Sequence, residues 1–274
     1  MKVTLLGTGS PLPSADCAGP STLVTSTAAS VLVDAGRGVV MRLAGAQSIP
    51  ARLSGVILTH LHSDHICDLN DVITTHWVMH SASTPLHVIG PPGTQHVVDA
   101  ALQMLTPDIG YRCAHHEDLD QGPLVEVREV VPGDRFAMGD LNITVFGTDH
   151  RPVEPTVGYR LTDGASVVAI GGDGVPCPSL DDLVRSADVY VQTVIRDDLV
   201  KLVPNQRFQD ILDYHSTVAQ AAETAERGGV GCLMLTHFVP GLTQEAEPEW
   251  RAQAEAFSGT LILGPDLTSY ETPS

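Results

Sequence analysis

The sequence has little lysine, few aromatic residues and no paired cysteine motif. Only two of its 15 basic residues are lysines, and 33 acidic residues give the 274-residue chain a formal net charge of -18. Without a polybasic tract, we expect no extended nucleic-acid footprint and no charge-driven attachment to a membrane. The two tryptophans, five tyrosines and five phenylalanines are too few and too scattered to predict a long base-stacking platform.

The cysteines and the short apolar runs exclude other classes of protein. The five cysteines are odd in number and widely spaced, which argues against a disulfide framework and a thiolate zinc site. No run of 18 or more apolar residues and no signal-peptide pattern is found, so we expect no membrane span and a cytoplasmic location. Because no linker rich in Pro, Gly or Ser interrupts the chain, residues 1–274 are expected to form one domain.

Short apolar runs of strand length recur along the chain, and several are separated by segments with helical spacing. Between residues 125 and 161 the predicted strands follow one another without a helix, which argues against a simple doubly wound sheet. We therefore predict an α/β fold with two mixed β-sheets flanked by helices. One predicted helix runs from Val218 to Arg227, capped by Ser216-Thr217 and stopped by Gly228-Gly229, and another runs from Thr94 to Leu105.

Four apolar runs end in a side chain that can bind a metal ion. They are Val56-Ile57-Leu58-Thr59-His60, Val145-Phe146-Gly147-Thr148-Asp149-His150, Val168-Ala169-Ile170-Gly171-Gly172-Asp173 and Leu233-Met234-Leu235-Thr236-His237. If the sheets bring these strand ends to one edge, ligands from distant parts of the chain converge on rigid supports. Gly7-Thr8-Gly9 lacks the helix-opening glycine of a dinucleotide site, and we interpret it as a tight turn that supports this edge.

The segment His60-Leu61-His62-Ser63-Asp64-His65 adds three further ligand groups close to His60. In an extended chain, residues two apart face the same side, so His60 and His62 can bind one ion together. A turn after His62 then lets Asp64 and His65 reach a second ion. Imidazole and carboxylate groups suit zinc and related divalent ions in open catalytic sites. A histidine-rich surface loop is the alternative interpretation, and the matching ligands downstream argue against it.

Further motifs occur in a recognisable order along nearly the whole chain. They are Leu5-Leu6-Gly7-Thr8-Gly9-Ser10-Pro11, the His-x-His-x-Asp-His hexapeptide, Thr148-Asp149-His150, Gly158-Tyr159-Arg160, Gly171-Gly172-Asp173, His215-Ser216-Thr217 and Leu235-Thr236-His237-Phe238. With them the sequence resembles the RNase Z-like branch of the metallo-β-lactamase superfamily. Lactonases, glyoxalase II and sulfatases share the hexapeptide, whereas the N-terminal and His-Ser-Thr segments are more discriminating. The resemblance implies a four-layer αβ/βα sandwich with its site at one edge.

The resemblance also implies a dinuclear metal site. In it, His60, His62 and His150 would hold one ion, Asp64, His65 and His237 the other, and Asp173 would bridge the two. Asp64 would also orient the attacking water or accept its proton, and His215 would stabilise the transition state or protonate the leaving oxygen. The expected cofactors are two divalent ions, with zinc first and manganese as the alternative.

Three departures from the family pattern bear on the substrate. Only 22 residues separate His150 from Asp173, too few for the flexible arm with which typical family members grip tRNA. The family's His-Glu-Ala-Thr segment corresponds to Gln192-Thr193-Val194-Ile195, so the carboxylate that supports the catalytic histidine is absent from that place. Gly174 replaces the usual threonine after the bridging aspartate, and we expect a looser turn there.

We therefore predict a metal-dependent phosphodiesterase or ribonuclease acting on a small phosphodiester or a short, flexible RNA. Three alternatives stay open: a tRNA 3′ endonuclease of the RNase Z type, an arylsulfatase or a lactone or thioester hydrolase, and a metal-loaded nucleotide- or RNA-binding protein without turnover. The ligand set does not separate the enzymes, because they share the same dinuclear chemistry. Thr193 in place of glutamate is the feature that favours the binding protein. A homodimer is also expected, since members of the family often form one.

Overall fold

The computed structural model describes residues 1–80 and 84–273. Strands β1 to β14, in chain order, are Lys2–Gly7, Ser21–Thr25, Ser30–Val33, Gly55–Ile57, Leu86–Gly90, Val125–Glu129, Arg135–Met138, Leu141–Gly147, Val157–Thr162, Val167–Ile170, Val189–Ile195, Cys232–Val239, Thr260–Ile262 and Ser269–Glu271. Helices α1 to α9 are Val39–Gly45, Ser63–Ile66, Leu69–Met79, Thr94–His115, Pro178–Val184, Asp197–Val200, Gln206–Gln209, Val218–Gly228 and Glu247–Ala252. Among the residues described, no helix combines the length and the apolar character needed to cross a membrane.

The strands form two mixed sheets of seven strands each. The first sheet has the order β14-β1-β2-β3-β4-β5-β6, and the second has the order β13-β12-β11-β10-β9-β8-β7. In the first sheet the pairs from β14 to β3 are antiparallel and those from β3 to β6 are parallel. In the second, the pairs from β7 to β10 are antiparallel and those from β10 to β13 are parallel. The predicted α/β fold with two mixed sheets is confirmed.

Apolar side chains cover both faces of each sheet. Between the sheets, residues such as Val3 and Val31 of the first sheet share one buried cluster with Tyr159 and Val168 of the second. Helices α1, α3 and α4 cover the outer face of the first sheet, and α5, α8 and α9 cover the outer face of the second. Each fully buried valine or leucine contributes about 1.5–3 kcal/mol. The layers therefore run helix, sheet, sheet, helix, as the resemblance implied.

Local signals set the ends of α8. The Thr217 hydroxyl accepts the backbone N–H of Gln220 at 3.1 Å, and the Gln220 side chain accepts the backbone N–H of Thr217 at 2.9 Å. This reciprocal capping box satisfies two helix-end donors. At the other end, Gly229 adopts the left-handed conformation, with φ 63°. The predicted cap and stop of this helix are confirmed.

Helix α4 is longer than the sequence predicted. It passes through Pro107 and ends at His115, whereas the prediction ended at Leu105. Proline removes one helical hydrogen bond, so a helix usually ends near it. Here the extra turns bring Ile109 and Cys113 onto the cluster around Trp77, and this packing offsets the lost bond.

Candidate metal centre

The four predicted strand ends meet at one edge of the sandwich. His60, His150 and Asp173 each lie three residues after a strand, namely β4, β8 and β10, and His237 lies inside β12. Potential ligand atoms form groups in which all lie within 4.8 Å of one another. The segment 60–65 comes from the first sheet and the other three residues from the second. The site therefore spans the seam between the two sheets.

The first group of potential ligands consists of His60, His62, His150 and Asp173, and its three imidazoles face one point. Nε2 of His60 lies 3.1 Å from Nδ1 of His62, and Nε2 of His150 lies 3.3 Å from the same atom. Burial lowers the pKa of His60 well below its usual value, lowers that of His62, and lowers that of His150 to about 4. The three rings are therefore neutral at pH 7, which is the form that binds a metal ion.

The second group consists of Asp64, His65 and His237. Oδ2 of Asp64 lies 3.2 Å from Nε2 of His237 and 3.6 Å from Nε2 of His65. Burial would raise the pKa of Asp64, but the contact with His237 and the nearby His65 lower it. Asp64 is therefore a carboxylate at neutral pH, as a ligand or a proton acceptor must be.

Asp173 lies between the two groups. Its Oδ2 atom lies 3.3 to 3.9 Å from the Nε2 atoms of five histidines, which are His215, His65, His237, His60 and His150 in order of increasing distance. Burial would raise the pKa of Asp173, but the surrounding imidazoles, with His237 and His65 foremost, hold it well below its usual range. A single carboxylate therefore reaches ligands of both groups.

Buried polar atoms at this centre lack protein partners. They include Nε2 of His65, Nδ1 of His237 and Oδ1 of Asp173. Such an atom costs about 1–3 kcal/mol when no hydrogen bond satisfies it. Divalent cations would bind the lone pairs of those atoms that face the centre, and imidazole nitrogen and carboxylate oxygen are ligands that zinc uses in catalytic sites. The residues present thus fit two divalent metal ions.

Asp34 is a residue of the site that the sequence analysis missed. Its carboxylate accepts Nδ1–H of His65 at 2.8 Å and the hydroxyl of Thr59 at 2.9 Å, and that hydroxyl lies 3.0 Å from Nδ1 of His60. These bonds direct Nε2 of both histidines to the centre. A signal was present, because Asp34 ends the apolar run 31–33 just as the ligands end other runs.

A bulge in β12 directs His237 to the centre. Between the paired residues Thr193–Thr236 and Ile195–Val239, β12 has one residue more than β11. At this point His237 has φ 54°, in the left-handed region that side chains rarely adopt. Such a conformation costs about 1–3 kcal/mol and persists where the surroundings enforce it. The extra residue turns the imidazole out of the regular alternation of the strand.

His215 reaches the centre without a supporting carboxylate. Its Nε2 atom lies 3.3 Å from Oδ2 of Asp173, and its Nδ1–H donates to the carbonyl of Ile211 at 3.1 Å. Thr193, in the segment that corresponds to the family's His-Glu-Ala-Thr, donates instead to the carbonyl of Gly172 at 3.0 Å. A backbone carbonyl therefore orients His215, which agrees with the missing glutamate.

Side chains of β11 hold the turn before Asp173 in place by hydrogen bonds. Gln192 is buried, and its Nε2–H donates to the carbonyl of Gly172 at 3.0 Å while its Oε1 accepts the hydroxyl of Tyr190 at 2.5 Å. A Cβ atom at Gly171 would lie 2.1 Å from that Oε1, so only glycine leaves room for this side chain. Gln192 and Thr193 thus hold the same carbonyl, which belongs to the peptide that leads into Asp173.

Gly174 has a more specific role than the looser turn we expected. A Cβ atom there would lie 2.8 Å from the carbonyl oxygen of Asp149, and its φ of 152° disfavours other residues. Val175 donates to that same carbonyl at 2.8 Å, and the hydroxyl of Ser216 donates to the Gly174 carbonyl at 2.7 Å. Glycine therefore lets two ligand-bearing loops and the His-Ser-Thr segment approach each other.

Comparison with known proteins agrees with this geometry. A model of the beta-lactamase superfamily domain matches residues 29–238. The ribonuclease Z of Mycobacterium bovis (strain BCG) is 53% identical over 275 residues, covering 99% of this chain and 98% of its own length, and that of Mycobacterium marinum is 52% identical with the same coverage. The chain belongs to the ribonuclease Z family of the β-lactamase superfamily. As a member of that family it is a metal-dependent hydrolase, and its histidine and aspartate cluster provides a site for divalent metal ions.

Solved structures share the fold of this ribonuclease Z family member. The short form of human tRNase Z has 22% sequence identity and a TM-score of 0.73, with 100% of each chain covered. A metallo-β-lactamase fold protein from Bacillus subtilis has 24% identity and a TM-score of 0.73, with 98% of each chain covered. The predicted sandwich of the metallo-β-lactamase type is confirmed.

The segment between His150 and Asp173 holds no arm. It contains β9, β10 and their short connections, and every residue of it is described. The two mycobacterial relatives match over 98% of their own length, so they carry no long insertion relative to this chain either. A chain of this length is thus compatible with the ribonuclease Z family.

Gln192→Leu tests the support of the turn before Asp173. We expect a loss of about 10- to 100-fold in zinc affinity and in kcat, because outer contacts of this kind orient the ligands. Chelator competition measures the affinity, and hydrolysis of bis-p-nitrophenyl phosphate measures kcat. The matched control is Gln103→Leu on the exposed face of α4, for which neither quantity changes. If Gln192→Leu changes only the melting temperature, the side chain is structural and does not position the metal site.

Proposed function

We propose that this chain hydrolyses a phosphodiester bond in a small phosphodiester or a short, flexible RNA. The observation that carries the proposal is the ligand cluster beside a cavity of about 290 Å³. In this proposal, His60, His62 and His150 would hold one divalent ion, Asp64, His65 and His237 would hold the other, and the carboxylate of Asp173 would serve both. A catalytic metal site holds the ion with protein ligands and leaves an open position for water or substrate, and this cavity provides that opening.

The proposed chemistry depends on the residues around the ions. Two bound divalent cations would bring the pKa of a water toward about 7 and neutralise charge on the phosphoryl group. Asp64 orients the attacking water and accepts its proton at a carboxylate oxygen. The Nδ1–H of His215 donates to the Ile211 carbonyl, which directs Nε2 of the ring towards Asp173 and the cavity. From there it can stabilise the transition state or protonate the leaving oxygen.

The size of the substrate is inferred from charge and from the absent arm. A net charge of -18 repels a long polyanion, whereas the metal cluster attracts one phosphate locally. Because a flexible RNA end has to enter a cavity of about 290 Å³, single-stranded RNA fits the site better than a folded helix. These features support a small or short substrate.

A 3′ endonuclease acting on precursor tRNA is the second candidate. The identity of 52–53% with mycobacterial ribonucleases Z, over chains of nearly the same length, favours it. In that case the tRNA body would be bound without an arm, and only the flexible 3′ segment would enter the cavity.

A substrate panel with zinc-loaded protein tests the proposal. It compares a precursor tRNA, the free oligoribonucleotide of its 3′ segment, bis-p-nitrophenyl phosphate, an aryl sulfate and a lactone. We expect the RNA substrates to be cleaved and the free oligoribonucleotide to react as fast as the tRNA. Much faster cleavage of the tRNA would select the second candidate, and turnover of the sulfate or lactone alone would overturn both. Asp64→Ala removes the activity, while Asp99→Ala on the exposed face of α4 retains it.

We further propose zinc as the metal, with manganese as the alternative, on the basis of the imidazole-rich ligand set. Elemental analysis of protein purified without added metal tests this assignment.

A cytoplasmic location is supported by the five cysteines, which are all free. A homodimer is supported by apolar side chains exposed on α4, such as Met104 and Tyr111. Sedimentation velocity tests the dimer, and a fluorescent fusion tests the location.

A further inference from the structure

The cavity at the metal centre has two chemically different walls. One wall is formed by metal-centre residues, among them Asp64, Asp173 and His237. The other is formed by apolar and aromatic side chains that no metal ion can use, and its members are Leu12, Phe208, Ile211, Tyr214 and Val239. A phosphate at the metal ions therefore has an apolar surface within the same cavity.

Phe208 has firm support in this apolar wall. It lies on α7 and belongs to a cluster with the buried side chains of Ile195, Val200 and Val239. The ring is half-buried and lines the cavity. Because neighbours hold one side of the ring and the cavity borders another, a flat ligand can contact it without rearrangement of the protein.

Tyr214 connects the apolar wall to the metal centre. Its ring centroid lies 4.7 Å from that of His215 and 5.1 Å from that of His150. Phe208, Tyr214 and His215 come from one short segment of chain, residues 206–215. The aromatic surface thus begins directly beside the group that faces the scissile phosphate.

We propose that this wall is a nucleobase subsite, in which the base next to the scissile phosphate stacks on Phe208 beside Tyr214. The inference rests on the proposed function, since it assigns a place to the base of the same RNA substrate. Stacking on an aromatic ring accepts every base, because each has a π face. Affinity from stacking also compensates for the few cations available to bind the backbone of the substrate.

Equilibrium binding tests the subsite without any turnover. Zinc-loaded protein is titrated calorimetrically with adenosine 5′-monophosphate and with ribose 5-phosphate, which has the same phosphate and sugar but no base. We expect the wild type to bind the nucleotide about 10-fold more tightly. Phe208→Ala abolishes that preference and leaves the affinity for ribose 5-phosphate unchanged. The control Met41→Ala, which removes an exposed apolar side chain on α1, retains the preference.

Two results would overturn the subsite. One is equal affinity of the wild type for both ligands, and the other is an equal loss of both affinities in Phe208→Ala at full zinc content. If Phe208→Ala binds less zinc, Phe208→Leu decides, since it keeps the apolar cluster but removes the ring; retention of the full preference would then count against stacking. RNA cleavage is measured separately, so an inactive protein that still prefers the nucleotide refutes the proposed function and not the subsite.

Discussion

Asp173→Asn is expected to lower phosphodiesterase activity by at least about 100-fold, more than the loss of an outer contact would cause. The amide keeps the shape of the side chain but removes the negative charge that lies among five imidazoles. Without that charge, two divalent cations side by side repel each other with less compensation. We therefore expect the variant to fold, to bind fewer than two zinc ions per chain, and to be nearly inactive.

Asp149→Asn is the matched control for this variant. Asp149 is close in sequence to His150, but its carboxylate pairs with the exposed side chain of Arg151 rather than with a ligand group. Exposed ion pairs contribute little, so metal content and activity remain near those of the wild type. Wild-type zinc content together with wild-type kcat in Asp173→Asn would refute the bridging role.

Gly7→Ala is expected to destabilise the protein by about 3 kcal/mol, a large effect for one methyl group. A Cβ atom at this position would lie 1.9 Å from the carbonyl oxygen of Gly19, so the backbone has to move. The next residue, Thr8, accepts the backbone N–H of Phe238 at 3.1 Å, and Phe238 follows the ligand His237. The displacement is therefore also expected to weaken zinc binding.

Gly110→Ala separates this steric effect from the general effect of replacing glycine. Gly110 lies on α4, and a Cβ atom there would meet no heavy atom within 4 Å. Because alanine favours helices more than glycine does, we expect a gain of up to about 1 kcal/mol. Urea unfolding of both zinc-free variants measures the difference. A stability of Gly7→Ala equal to that of the wild type would show that the turn adapts and does not support the metal edge.

The ligand positions could be predicted because their signals are local. His60, His62, Asp64 and His65 share one short segment, and strand ends carry His150 and Asp173. The strand ends were expected to converge only if the sheets aligned them at one edge, and the division of the ligands between two ions came from the resemblance to the family. The same reasoning would have found Asp34, which also follows a strand.

Contacts between distant segments could not be predicted in this way. Strands β7, β13 and β14 have only four, three and three residues, and pairing with a neighbour defines them more than composition does. Strand β14, for example, pairs with β1 from the opposite end of the chain. The contact of Gln192 with Gly172 and that of His215 with Ile211 likewise depend on how separate elements pack.

Because the site lies at the seam between the two sheets, bound metal ions would also slow the unfolding of the chain. Four of the seven proposed ligands belong to the first sheet and three to the second, with the carboxylate of Asp173 reaching both groups. If ions are bound by residues of both sheets, opening the sandwich would require their release, and rupture of several coordination bonds would slow that step. Metal supply would then govern how long each molecule resists proteases, apart from how fast it turns over substrate.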